Sequence, residues 1–174
     1  MKTAIIGYSG SGKSTLAQYI GKSTGAEVLH LDCVHWLPGW KERTREDEVP
    51  IVRDFMDSHA SWVIEGNYAG SLFERRMEEA DRILFLNFNR VTCLCRALKR
   101  FFQYRGKTRA SIGAGCEEKI DIEFIWWILY KGRTKKQTRK YRHVMQTYGD
   151  KTTVIRNQRE LTNFMDMEDI CKEI

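Results

Sequence analysis

Proline occurs only twice in 174 residues and no segment is repetitive or of low complexity, which argues against a stiff linker or a compositionally disordered chain. Long apolar runs are absent as well. The longest, Phe124 to Tyr130, falls far short of the roughly 20 residues needed to span a bilayer. The N-terminus lacks the charged, apolar and small-residue succession of a secretory signal, so the expected location is the cytoplasm, with no membrane partner. Five cysteines (Cys33, Cys93, Cys95, Cys116 and Cys171) are an odd number without zinc-type paired spacing, and reduced thiols are expected. What is present, 42% hydrophobic and 30% charged residues, is the composition of a soluble globular protein, and the length suits one domain over residues 1–174.

Acidic residues are scarce in one place. Residues 96–142 carry 14 Lys and Arg against 4 Asp and Glu, a local net charge of +10, whereas the whole chain is only +6. The basic excess is therefore a local feature, of the kind that attracts polyanions such as nucleotide phosphates, nucleic acid or an acidic lipid surface.

Short apolar runs predict strands at Lys2 to Gly7, Glu27 to Leu31, Ser61 to Glu65, Arg82 to Phe88 and Lys151 to Ile155. Between them, helices are predicted from Lys13 to Gly21, Arg45 to His59, Ser71 to Ala80 and Val91 to Tyr104. A longer helical stretch, Glu117 to Tyr148, is broken near Gly132, and a last helix runs from Glu160 to Cys171. Alternating strands and helices imply a three-layer α/β fold around a parallel sheet, because parallel connections need long right-handed crossovers. Ligands of such sheets sit beyond the carboxyl ends of the strands, which draws attention to the residues just after each run.

The first of these places reads G-Y-S-G-S-G-K-S-T, Gly7 to Thr15. Gly7, Gly12, Lys13 and Ser14 satisfy G-x4-G-K-[ST], a loop whose backbone N–H groups cradle phosphates. Gly7, Ser9, Gly10, Ser11, Gly12, Lys13, Ser14 and Thr15 are thus the candidate ATP-binding residues. Lys13 offers a point charge to the β and γ phosphates, and the Ser14 hydroxyl is a ligand for Mg²⁺. Asp32 is expected at the end of the second strand, either to orient an acceptor hydroxyl or as an N-cap or solvated acid. Glu65 closes the third strand, either as a metal-side carboxylate or as the ion-pair partner of Arg75 or Arg76. His35, Trp36, Asn67 and Tyr68, with Trp40, fall in two loops that should converge, as an acceptor-binding cluster or as an apolar cap over the sheet edge.

Taken together, these segments resemble the adenylate-kinase-like group of P-loop kinases. More narrowly, the loop together with L-D-x-x-x-W-x-P-G-W (Leu31 to Trp40), W-V-I-E-G-N-Y (Trp62 to Tyr68) and G-K-T-R (Gly106 to Arg109) resembles bacterial proteins labelled DNA topology modulation proteins. The resemblance implies a P-loop NTPase fold with a five-stranded parallel sheet, a mobile lid and ATP handling like that of nucleotide kinases. It implies Glu65 in the carboxylate position beside the loop and a lid arginine within residues 96–142, for which Arg100, Arg105 and Arg109 are the candidates. Nucleotide kinases usually follow the third-strand acid with Gly-Phe-Pro-Arg; here Gly66-Asn67-Tyr68 follows, without the arginine that grips a monophosphate.

In the basic segment, Ile122, Ile125, Trp126 and Leu129 form one apolar stripe and Tyr141, Val144, Met145 and Tyr148 another, both expected in the core. Lys131 to Arg142 holds seven basic residues and no acid, and reads as part of a lid, a nucleic-acid surface or a solvated face. The function these features favour is an ATP- and Mg²⁺-dependent kinase of a small-molecule acceptor, with Lys13, Asp32, Arg105 and Arg109 catalytic. The alternative is a nucleic-acid-associated ATPase or regulator contacting nucleic acid through 131–142, although no reader module is recognisable.

Overall fold

The computed structural model describes residues 1–106 and 111–170. Lys2–Gly7 forms β1, buried along its length after Lys2. The glycine loop leads into α1 (Lys13–Thr24), and the chain returns along β2 (Glu27–His30). A short helix, α2 (Leu31–His35), enters a hairpin of two-residue strands, β3 (Trp36–Leu37) and β4 (Lys41–Glu42). There follow α3 (Arg45–Ser58), β5 (Trp62–Glu65), α4 (Phe73–Glu79), β6 (Arg82–Leu86) and α5 (Arg90–Tyr104). Beyond these come α6 (Ile122–Leu129), a 3-10 turn at Lys131–Arg133, α7 (Lys135–Thr147), β7 (Thr152–Ile155) and α8 (Gln158–Ile170).

Five strands pair in parallel in the order β2-β5-β1-β6-β7. β1 is central, with β5 on one side and β6 on the other, so the strand order reverses beside it and leaves a crevice at the carboxyl ends. Alternation along the strands divides the core into two layers. Ala4, Ile6, Ile64, Ile83 and Phe85 face Val52 and Met56 of α3, Phe73 and Met77 of α4, and Tyr141 and Val144 of α7. Ile5, Val63, Leu84 and Leu86 face Leu16 and Ile20 of α1, Cys93 and Ala97 of α5, and Leu161 of α8. The three-layer α/β architecture expected from the sequence is the one observed. Among the described residues, no helix is long and apolar enough to cross a membrane, and Cys33, Cys93, Cys95 and Cys116 form no disulfide; Cys171 lies outside the described residues.

Several boundaries differ from the sequence expectation. The second strand stops at His30 and Asp32 lies in the first turn of α2, because Leu31 and Val34, three apart, are both buried on one helical face. The fourth strand stops at Leu86, since Asn89 is committed to capping α5, its side chain accepting from the Thr92 amide at 2.9 Å. The stretch 117–148 divides because Asp121 caps α6 and Thr134 caps α7. The stripe expected on α6 is not core: Ile122 is 84% exposed and Trp126 50%, and the inward line is instead Phe124 and Ile128. On α7, Tyr141 and Val144 are buried as expected, whereas Met145 is 41% exposed.

Side-chain caps close the N-termini of α3, α5, α6 and α7, through Thr44, Asn89, Asp121 and Thr134. Because the Asn89 cap also marks where β6 gives way to α5, Asn89→Ala should destabilise the protein by about 1 kcal/mol in urea unfolding. Asn89→Asp, which retains the acceptor, should stay near wild type.

Candidate active site

α1 starts differently from the capped helices. Its N-cap is Gly12 at φ 100°, with no side chain on the first amides and no acid in the first turn. The positive end of the helix dipole therefore opens into the crevice beside β1. Gly10, at φ 78°, presses the loop against α5 so closely that a Cβ there would sit 2.3 Å from the Cys93 carbonyl oxygen. Ser11 N donates to Tyr8 O at 3.1 Å and closes the loop, and Lys13 folds back with its Nζ 3.2 Å from Tyr8 O. Ser9 lies within this turn and Thr15 follows it, exposed.

The third-strand acid faces the loop. Ser14 Oγ donates to Glu65 Oε1 at 2.9 Å, and His30 Nδ1 lies 2.9 Å from the same oxygen. His30 and Glu65 are register partners at the ends of β2 and β5, so a pairing between neighbouring strands produces this contact. Glu65 is buried, which pushes its carboxyl up, but the His30 hydrogen bond, the Lys13 charge and the Ser14 hydroxyl together outweigh burial and hold it below the ordinary carboxylate value. The partner of Glu65 is thus His30 rather than Arg75 or Arg76.

Arg76 has a different task. It is fully buried on α4, just after the Gly66 to Ser71 loop, donating from Nε to Ser71 O at 2.8 Å, from Nη1 to Gly66 O at 3.3 Å and from Nη2 to Tyr68 O at 2.9 Å. Burial pushes the guanidinium down to about 10, against the opposing charges of Glu48 and Glu65. One side chain thereby fixes three carbonyls of the loop that presents Asn67 and Tyr68.

Those two residues reach different partners. Asn67 is joined to the phosphate loop, its Oδ1 accepting from Gly7 N at 3.1 Å and its Nδ2 donating to Gly7 O. Tyr68 donates its hydroxyl to Asp32 Oδ1 at 2.7 Å, and burial followed by the Asp32 charge raises its phenol pKa well beyond the ordinary range. The His35 ring lies 4.2 Å from the Tyr68 ring at 30°, with His35 Nδ1 3.2 Å from Glu48 Oε2, and Glu48 accepts from Ser71. Trp36 packs edge-on to His35 and Trp40. Trp40 also donates its indole N–H to Glu117 O at 3.2 Å, and Cys116 Sγ contacts Leu37 O at 3.3 Å. The hairpin aromatics are therefore tied to residues 111–118 of the basic segment, while Asp32, His35 and Tyr68 form one connected cluster.

Among the described residues, three further cations lie beside Lys13 near the loop. Arg96 donates from Nη1 to Ser11 O and stacks 4.1 Å over the Phe88 ring. Arg133 lies 3.7 Å over the Tyr8 ring and donates from Nη2 to Phe88 O at 2.8 Å. Lys140 donates to Asn67 O at 3.0 Å. Arg105, by contrast, is an exposed C-cap of α5 whose backbone bridges Glu118, Arg100 pairs with Glu118 at 2.7 Å, and Arg109 lies outside the described residues. Arg96, Arg133 and Lys140 come from three elements, and the run of like charge containing them carries no mark of which members turn inward. Only the helical phase of Lys140, beside buried Tyr141, was available as a signal.

No family model and no curated protein sequence matches the chain. Solved structures do. A deoxyadenosine kinase from M. mycoides with bound dCTP superposes with a TM-score of 0.51 at 15% identity, covering 97% of this chain and 99% of that one. A shikimate kinase from Bacteroides thetaiotaomicron gives 0.52 at 16%, covering 100% and 99%, and an uncharacterized protein from Eubacterium ventriosum gives 0.55 at 15%, covering 100% and 98%. The chain accordingly shares its fold with these structures. The narrower resemblance to DNA topology modulation proteins gains no support from these matches.

If Arg76 organises the 66–71 loop, Arg76→Ala should destabilise the protein by about 3 kcal/mol or more, because it strips buried carbonyls of charge-assisted donors. Arg76→Lys should recover only part of that in denaturant unfolding, lacking the planar fork.

Proposed function

We propose that the protein is an ATP- and Mg²⁺-dependent kinase that phosphorylates a small-molecule acceptor. The observation that carries this reading is the uncapped start of α1 at Gly12, with Lys13 and the Ser14–Glu65 pair beside it at the strand-order reversal. Backbone amides of Gly10 to Thr15 would hold the phosphate chain, with Gly7, Ser9 and Ser11 shaping the turn. Lys13 would leave the Tyr8 carbonyl for the β and γ phosphates.

The residues suit a magnesium ion. Ser14 Oγ and Glu65 Oε1, hard oxygen donors 2.9 Å apart, match an ion that keeps most of its waters and shares phosphate oxygens. Bound there, Mg²⁺ would neutralise charge on the β and γ oxygens. Ser14 would be its direct ligand, and Glu65, kept ionised by His30, would orient a bound water.

On the other side of the crevice Asp32, held by the Tyr68 hydroxyl, would orient the acceptor hydroxyl and take its proton as that oxygen bonds to the γ phosphorus. The bond from the γ phosphorus to the bridging oxygen breaks, and ADP leaves. His35, Trp36 and Asn67 would complete the acceptor side, His35 and Trp36 as its aromatic wall and Asn67 as the strut that fixes its distance from the loop. Arginine charge at the transferring group would come from Arg133, already against Tyr8, and from Arg105 or Arg109 in the lid.

No specific observation favours a nucleic-acid ATPase: Arg133 and Lys140, both in the basic run, turn toward the loop rather than outward.

The test is a screen of candidate acceptors with labelled ATP. Lys13→Ala should lower phosphate transfer about 10²-fold or more. Asp32→Asn should lower turnover about 10² to 10⁴-fold while ATP affinity stays near wild type. Transfer unaffected by Lys13→Ala would overturn the proposal.

A further inference from the structure

Between α4 and α7 lies a cavity of about 340 Å³, lined by Phe73 and Glu74 on one side and by Lys136, Arg139, Lys140 and His143 on the other. Spacings of three and four residues put the four basic groups on one face of α7. The lining carboxylate, Glu74, lies 3.6 Å from His143 Nε2. Among the described residues, Lys136 and Arg139 make no ion pair, and Lys140 gives its amine to the Asn67 carbonyl. Burial, followed by the charges of Lys13 and Arg76, pushes the Lys140 amine down to about 8. A cation crowded in this way is relieved by an anion.

The cavity also lies close to the candidate chemistry. Lys140 sits on the Asn67 backbone, and the Asn67 side chain is bonded to Gly7 at both its oxygen and its nitrogen. A single residue, Asn67, thus connects the cavity's Lys140 with the phosphate loop. Phe73, only 6% exposed, supplies an apolar floor.

We infer that this cavity binds the anionic group of the acceptor, so that the acceptor is a small molecule bearing a phosphate or a carboxylate. Helix α7 would then supply the anion grip that Gly66-Asn67-Tyr68 lacks. The word acceptor rests on the kinase reading; the anion site itself does not.

The experiment is calorimetric titration of inorganic phosphate, and separately of malonate, into the wild-type protein and Lys136→Ala/Arg139→Ala, each with and without a saturating non-hydrolysable ATP analogue. Both substituted side chains are exposed, so unfolding midpoints without ligand should stay close to each other. With the analogue filling the loop, wild type should bind one of the two ions and the double variant should bind it about tenfold or more weakly, as expected for lost charge-assisted contacts. The preferred ion separates phosphate from carboxylate. Equal affinities in the two proteins, or no binding of either ion, would overturn the inference. So would salt-dependent binding of a short oligonucleotide, lost in the variant, where neither ion binds, since that assigns the strip to nucleic acid. Failure of the ATP analogue to bind would sink the kinase reading instead, and the titrations without analogue would still decide the cavity.

Discussion

The structure is organised around a helix end left open. α1 begins at a left-handed glycine with no side chain on its first amides, while α3, α5, α6 and α7 all carry caps. Uncapped amides at a helix start leave donors open to a partner, and an anion satisfies them with the help of the dipole. The sheet order places this end at the crevice beside β1, and Gly10 lets the loop lie flat against α5.

Around that end, the polar groups are already held in place. Glu65 collects Ser14 and His30 on one oxygen, Asn67 is joined to Gly7, and Arg76 binds three carbonyls of the 66–71 loop. The Glu65 and Asn67 contacts join residues far apart in the chain but adjacent at the strand ends, whereas those of Arg76 are local. A site restrained in this way loses little further freedom when a ligand arrives.

Residues whose role depends on local order were the legible ones. The β1–loop–α1 unit could be read because its apolar run, glycines and Lys-Ser-Thr are contiguous, and Glu65 because it ends an apolar strand. Asp32 lies on a different element from the one the sequence suggests, since Leu31 and Val34 at a spacing of three favour a helical turn over one more strand residue. His30 escaped notice because its importance lies in the β2–β5 register. Arg96, Arg133 and Lys140 escaped because a charge run does not declare which members a helix turns inward. The α6 stripe misled for the same reason: Ile122 and Trp126 are apolar and correctly spaced, yet packing selects Phe124 and Ile128.

The central claim is that the open end of α1 binds the phosphates of a nucleotide, and backbone amide shifts report on it directly. In a ¹H–¹⁵N spectrum titrated with MgATP, the amides of Gly10, Gly12, Lys13 and Ser14 should move most and saturate together, and Lys13→Ala should weaken or abolish the effect. Saturable shifts confined to other parts of the molecule, with these four amides unmoved, would contradict the account.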